Sequence, residues 1–214
     1  MPKERLGDGE EQFQLQYMSK RSCTAANTAA AFLLGVLITL GGLGGSAAPT
    51  WAGQSDARLD PLFEQLRATT DSRTAAPVEE EIWNIWLDYP SDDVLVLMQD
   101  GVSSMNEDDY AGALAAFDAV VAMAPDYAEG WNKRANTHYL RGDYPAAVAD
   151  IRQVLILEPR HFAALAGLGL IYLELDETDG ALKAFNAALA INPHLAAVRE
   201  RLSELQHRLA RSTL

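Results

Sequence analysis

Few side chains in this 214-residue chain could do chemistry, and their spacing argues against a reaction. The histidines are His138, His161, His194 and His207. No His-x-x-x-His or Cys-x-x-Cys pair offers metal-ligand spacing, and no nucleophile elbow is present. Gly41-Gly-Leu-Gly-Gly lies inside an apolar run, not between a strand and a helix, so it is not a phosphate loop. The single cysteine, Cys23, precedes that run and leaves the rest of the chain without thiol or disulfide chemistry. The chain therefore reads as non-catalytic, with no cofactor, no metal and no small-molecule substrate. Asn132 and Asn136 offer a different chemistry. They lie one turn apart on one face of a helix whose other side carries Trp131 and Ala135. An amide both donates and accepts, so two in a row can pair with the main chain of an extended peptide. Helix interiors disfavour asparagine, and neither amide is expected to be needed for packing.

Charge narrows the partner. Seventeen basic residues stand against thirty acidic ones, a net charge of −13. No basic face is available to neutralise phosphates, which excludes nucleic acid, or to hold the chain on an anionic membrane surface. The expected partner is a protein or a peptide.

The elements that carry these residues repeat. Pro125, Pro159 and Pro193 are spaced by 34 residues, and so are Ala113, Ala147 and Ala181. Phe117, Ile151 and Phe185 keep the same step, as do Gly101, Ala135 and Gly169, and Leu97, Trp131 and Leu165. A fixed period of this size marks stacked helical units. Small residues let the two helices of a unit approach closely, and the large residue four positions after the second small one fills the gap. Polar turns such as Arg141-Gly-Asp-Tyr separate the two helices, Gly142 suits a left-handed helix end, and each proline stops the second helix.

This pattern resembles the tetratricopeptide repeat. The third unit carries the family's signature at Leu165, Leu168, Gly169, Tyr172, Ala181, Phe185, Ala188 and Pro193. The second matches at Trp131, Ala135, Ala147, Ile151, Val154 and Pro159, but has Arg134 and His138 at two apolar positions. The first departs at Asp100 and Ser104. The resemblance implies an all-α solenoid of about three helix pairs, 94–127, 128–161 and 162–195. It further implies that particular positions of each first helix line a protein-binding groove. These are Leu95, Met98, Val102 and Met105, then Glu129, Asn132, Asn136 and Tyr139, then Ala163, Ala166, Leu170 and Leu173. Some family members grip a C-terminal carboxylate with lysine and asparagine. Met98 and Val102 stand at those positions here, so an amphipathic helix or apolar-anchored peptide is the expected occupant.

Other segments frame the repeats. Lys20 and Arg21 precede an apolar run, Ala29 to Leu43, and small residues follow it to Ala52. That order is a secretory signal peptide, with a span shorter than the roughly 20 apolar residues of a membrane helix. Residues 1–52 are thus expected to be a leader, with Met18 an alternative start, and the protein periplasmic. An uncleaved inner-membrane anchor is the alternative. Residues 53–93 read as a helical hairpin capping the first repeat's outer face, its second helix starting at Pro77. Trp83 and Trp86 at helical spacing read as packing residues. Residues 196–214 read as a solvating C-terminal helix. Two roles fit: an adaptor or scaffold binding a protein segment in its groove, or an assembly subunit of an envelope complex. Family members active in cytochrome c maturation or outer-membrane assembly are precedents for the second.

Overall fold

Periodic prolines and turn residues divide the chain into helices of similar length. In the computed structural model, which describes residues 55–212, these are α1 (Leu59–Ala68), α2 (Ser72–Leu87), α3 (Asp92–Asn106), α4 (Tyr110–Met123), α5 (Ala128–Leu140), α6 (Tyr144–Leu157), α7 (Phe162–Glu174), α8 (Thr178–Ile191) and α9 (Ala196–Ser212). No strand occurs among the described residues. The expected leader lies outside them.

Each repeat is one helix pair: α3 with α4, α5 with α6, α7 with α8. The turns inside the pairs place Asp108 (φ 58°), Gly142 (φ 75°) and Asp176 (φ 58°) in the left-handed region, one repeat apart. Glycine adopts that conformation freely, and aspartate tolerates it better than most residues. The next residue caps the second helix in two of the pairs, Asp109 accepting from Gly112 N–H at 3.0 Å and Asp143 from Ala146 N–H at 3.2 Å. Ala113, Ala147 and Ala181 are fully buried where the two helices meet. A Cβ on Gly101 or Gly169 would overlap the ring of Phe117 or Phe185. The middle repeat solves the same packing differently, with Ala135 set in one core with the smaller Ile151.

First helices of neighbouring repeats approach one another, so α3, α5 and α7 line the inner side of the stack. The N-terminal hairpin departs from expectation in two ways. First, α2 begins at Ser72, five residues before Pro77, with Asp71 as its cap accepting from Arg73 N–H at 3.1 Å. Burial of Ala75 and Val78 offsets the backbone bond that Pro77 forgoes inside the helix. Second, the hairpin does not cover the outer face of the first repeat. It lies along the three junctions that follow the repeats.

The repeat period itself shows this. Asp126, Arg160 and His194 occupy equivalent positions, and each is bonded to the hairpin. Tyr89 donates to Asp126 at 3.0 Å, Arg160 donates to Asp60 at 2.6 Å, and His194 Nε2 lies 3.2 Å from the Leu66 carbonyl. Tyr127 donates to the Leu87 carbonyl at 3.2 Å and Asn192 to Glu79 at 3.1 Å. Helix α2 thus runs against the repeat order, from the third junction at Glu79 to the first at Leu87.

Candidate functional site: the inner helix face and the junction edge

The polar residues of α5 are divided between two jobs. Glu129, near the N-terminus of α5, is fully buried, and so is His161, the cap of α7. His161 Nδ1 accepts from Ala164 N–H at 3.1 Å, which leaves Nε2 to donate to Glu129 at 2.6 Å. Asn132, 4 % exposed, donates to both Glu129 oxygens at 3.3 Å. Burial pushes the Glu129 carboxyl up, but the His161 bond, with Lys133 and Asn132 adding to it, more than offsets this and holds it below the usual carboxylate range. The hairpin closes over this group. The Trp86 ring stacks on His161 with centroids 4.5 Å apart and planes 6° apart. Trp83 meets Trp86 and Phe162 edge-on, at 5.3 and 5.7 Å. Both tryptophans pack the hairpin onto the second junction.

Of the two consensus departures of the second repeat, Arg134 is fully paired, whereas the buried Nδ1 of His138 has no hydrogen-bond partner among the described residues. Arg134 forms a two-pronged pair with Asp150, at 2.7 and 2.8 Å, and reaches back to Asp118 of the preceding repeat at 2.8 Å. His138 Nε2 lies 3.8 Å from the same Asp150, which is buried. The residues equivalent to Asp150 are Ala116 and Ala184, so the acid stands only where the arginine and histidine do. Among the described residues no cluster of three or more histidines, cysteines or carboxylates could hold a metal ion. No described helix is long and apolar enough to cross a membrane.

The expected groove residues lie on the inner helices with unequal access. Met98, Met105 and Leu170 are buried, along with Glu129 and Ala166. Val102, Asn136, Tyr139 and Leu173 are half-buried, and Leu95 is exposed. Asn132 and Asn136 do not act as a pair. The Asn132 amide is committed to Glu129 and supports the buried junction, whereas Asn136, one turn on, keeps access to the inner face. The spacing in the sequence shows both on one side of α5. The Glu129–His161 pair of the junction, covered by Trp86 of the hairpin, separates them. Glu129 and His161 were legible separately, as a groove position and a helix-start residue. Their pairing depends on the junction fold.

Comparison with known proteins agrees with this geometry. The family model described as tetratricopeptide repeat matches residues 103–155 and 133–196. A TPR repeat-containing protein of Rhizobium etli is 37% identical over 153 residues, covering 72% of this chain and 75% of the relative. The Sgt2 TPR domain from Aspergillus fumigatus superposes with a TM-score of 0.55 at 19% identity, covering 58% of this chain and 83% of that domain. The TPR2B domain of yeast Sti1, solved as a complex with pHsp70, superposes with a TM-score of 0.51 at 20% identity, over 57% of this chain and 99% of that one. Solenoids of stacked helix pairs form the class this fold defines, and within it the chain belongs to the tetratricopeptide-repeat family.

Proposed function

We propose that the chain is a non-catalytic protein-binding adaptor or scaffold, exported to the periplasm, that takes a peptide or helical segment on its inner face. The observation that carries this reading is the access left at Val102, Asn136 and Leu173, one inner position in each repeat. Apolar side chains flank one amide, a surface suited to a segment anchored by apolar residues and held by a main-chain hydrogen bond. The junction edge is already occupied by the hairpin. The Sti1 domain, of the same fold, was solved with a partner bound. Here Met98 and Val102 replace the polar clamp of carboxylate-gripping relatives, which favours an apolar-anchored segment over a charged tail. Export rests on the order of charge, apolar run and small residues from Lys20 to Ala52.

Site-specific photo-crosslinkers at Asn136 and Val102, with Lys183 on α8 as the outward control, test the site. The expected result is one cross-linked segment from the inner positions and none from Lys183. A synthetic copy of that segment then binds Asn136→Ala more weakly, by about 0.5–1.5 kcal/mol for one lost hydrogen bond, or roughly 2- to 13-fold. Cross-links confined to Lys183, or equal affinity for the variant, would refute it. Mass spectrometry of the exported protein is expected to place its N-terminus near Gly53, and a mature chain that retains Phe32 to Leu40 would contradict export with cleavage.

A further inference from the structure

The hairpin's placement leaves the outer face of the first repeat open, and comparison of equivalent positions shows what that face lacks. Val96 is 59% exposed, whereas its equivalents Gly130 and Ala164 are buried. Gly130 sits so close to the preceding second helix that an added Cβ would meet Val120. Ser103 is exposed, whereas Thr137 and Ile171 are buried. Asp100 stands where Arg134 reaches back to Asp118. In the second and third repeats these positions receive a helix from the unit before. In the first they face solvent.

Charge identifies the occupant. Residues 92–127 contain seven aspartates, one glutamate and no lysine or arginine. At the other end of the stack, α9 carries four arginines, Arg199, Arg201, Arg208 and Arg211, against Glu200 and Glu204. It is the most basic described helix, and Arg199, Arg208 and Arg211 are exposed. We propose that the outer face of α3 docks α9 of a second copy, head to tail. Val96 supplies the apolar contact, Asp93 and Asp100 meet the arginines, and the charges steer approach and fix polarity. The two surfaces differ, so the contact is heterologous and repeats along the assembly instead of closing a two-fold dimer. This reading is independent of the inner-face site, which stays open in such a chain of copies.

Sedimentation velocity of the full-length chain tests it. The wild type is expected to grow with concentration at low salt and to shrink as salt screens the exposed charges. Asp93→Arg with Asp100→Arg, or Arg208→Glu with Arg211→Glu, each removes the growth while the melting curve is retained. Mixing those two variants restores it as an alternating assembly, since the basic α9 of the first docks on the acidic α3 face of the second and the acidic α9 of the second on the basic α3 face of the first. Combining all four changes in one chain restores concentration-dependent growth, because the charges are swapped as a set. Growth that is absent in the wild type, that ignores both pairs of changes, or that the fourfold swap fails to restore overturns the proposal. A wild type of constant size that binds a synthetic cationic amphipathic helix at Val96 also overturns it, and assigns the face to a different protein.

Discussion

The buried Glu129–His161 pair gives the sharpest energetic test of the junction edge. Both side chains are 0% exposed, and the carboxylate accepts from His161 at 2.6 Å and from Asn132 at 3.3 Å. Glu129→Leu removes the acceptor and leaves two buried donors unmet. Each unmet donor costs about 1–3 kcal/mol, and breaking a buried pair from one side costs ~3–5 kcal/mol. The expected loss is about 3–5 kcal/mol, a fall of ~6–20 °C in Tm for a domain of this size. Glu129→Gln keeps an acceptor for His161 and is expected to cost only about 1 kcal/mol. Glu129→Leu with His161→Phe replaces both partners by apolar groups and is expected to lose less than the two single changes summed. Acid adds an independent signature. The folded carboxyl titrates below its ordinary value of 4.5, so the folded chain binds fewer protons there than the unfolded one. The pair's contribution is full above that value and is lost as pH falls through the lowered one, and Glu129→Gln flattens this limb. Urea unfolding followed by circular dichroism, with tryptophan fluorescence for Trp86 on His161, reads both effects. A Glu129→Leu loss below about 1 kcal/mol, or a double variant as damaged as the sum, would refute the reasoning.

Other outcomes follow from the packing. Ala147→Phe forces a ring between α5 and α6 and is expected to destabilise by at least ~1–3 kcal/mol in thermal melts. The two asparagines are expected to part company in the same melts. Asn132→Ala, whose amide supports Glu129, costs about 1 kcal/mol, whereas Asn136→Ala is neutral or slightly stabilising. Arg134→Leu alone strands the buried Asp150 and costs ~3–5 kcal/mol, and adding Asp150→Ala recovers most of it. That pair of changes recreates the Leu168 and Ala184 combination of the third repeat.

The repeats were legible because their period is written in residues with one packing role each. Small residues at Gly101, Ala147 and Gly169, large ones at Phe117 and Phe185, and the junction prolines all serve local helix pairing. The left-handed turn at Gly142 was visible for the same reason. The hairpin's helices were legible from their apolar spacing, but its resting place was not. An end cap and an edge strap need the same amphipathic helices. What distinguishes them is the polar matching of Asp126, Arg160 and His194 to residues 37 to 128 positions away. Asn132 was misjudged for a related reason. Spacing places it on the inner face, but its access depends on His161 and Trp86, brought to it by the junction and the hairpin.

Hydrogen exchange of α1 and α2 tests most directly the claim that the hairpin is held at the junctions between repeats. Tyr127→Phe, Arg160→Ala and Asn192→Ala together remove one anchor at each junction. Three hydrogen bonds at about 0.5–1.5 kcal/mol each correspond to hairpin exchange faster by ~10-fold or more, with α3 and α4 unchanged. Val96→Lys, on the outer face of the first repeat, is expected to leave the hairpin's exchange as it was. Acceleration by Val96→Lys, with none from the three junction changes, would place the hairpin on the end of the stack and contradict the account.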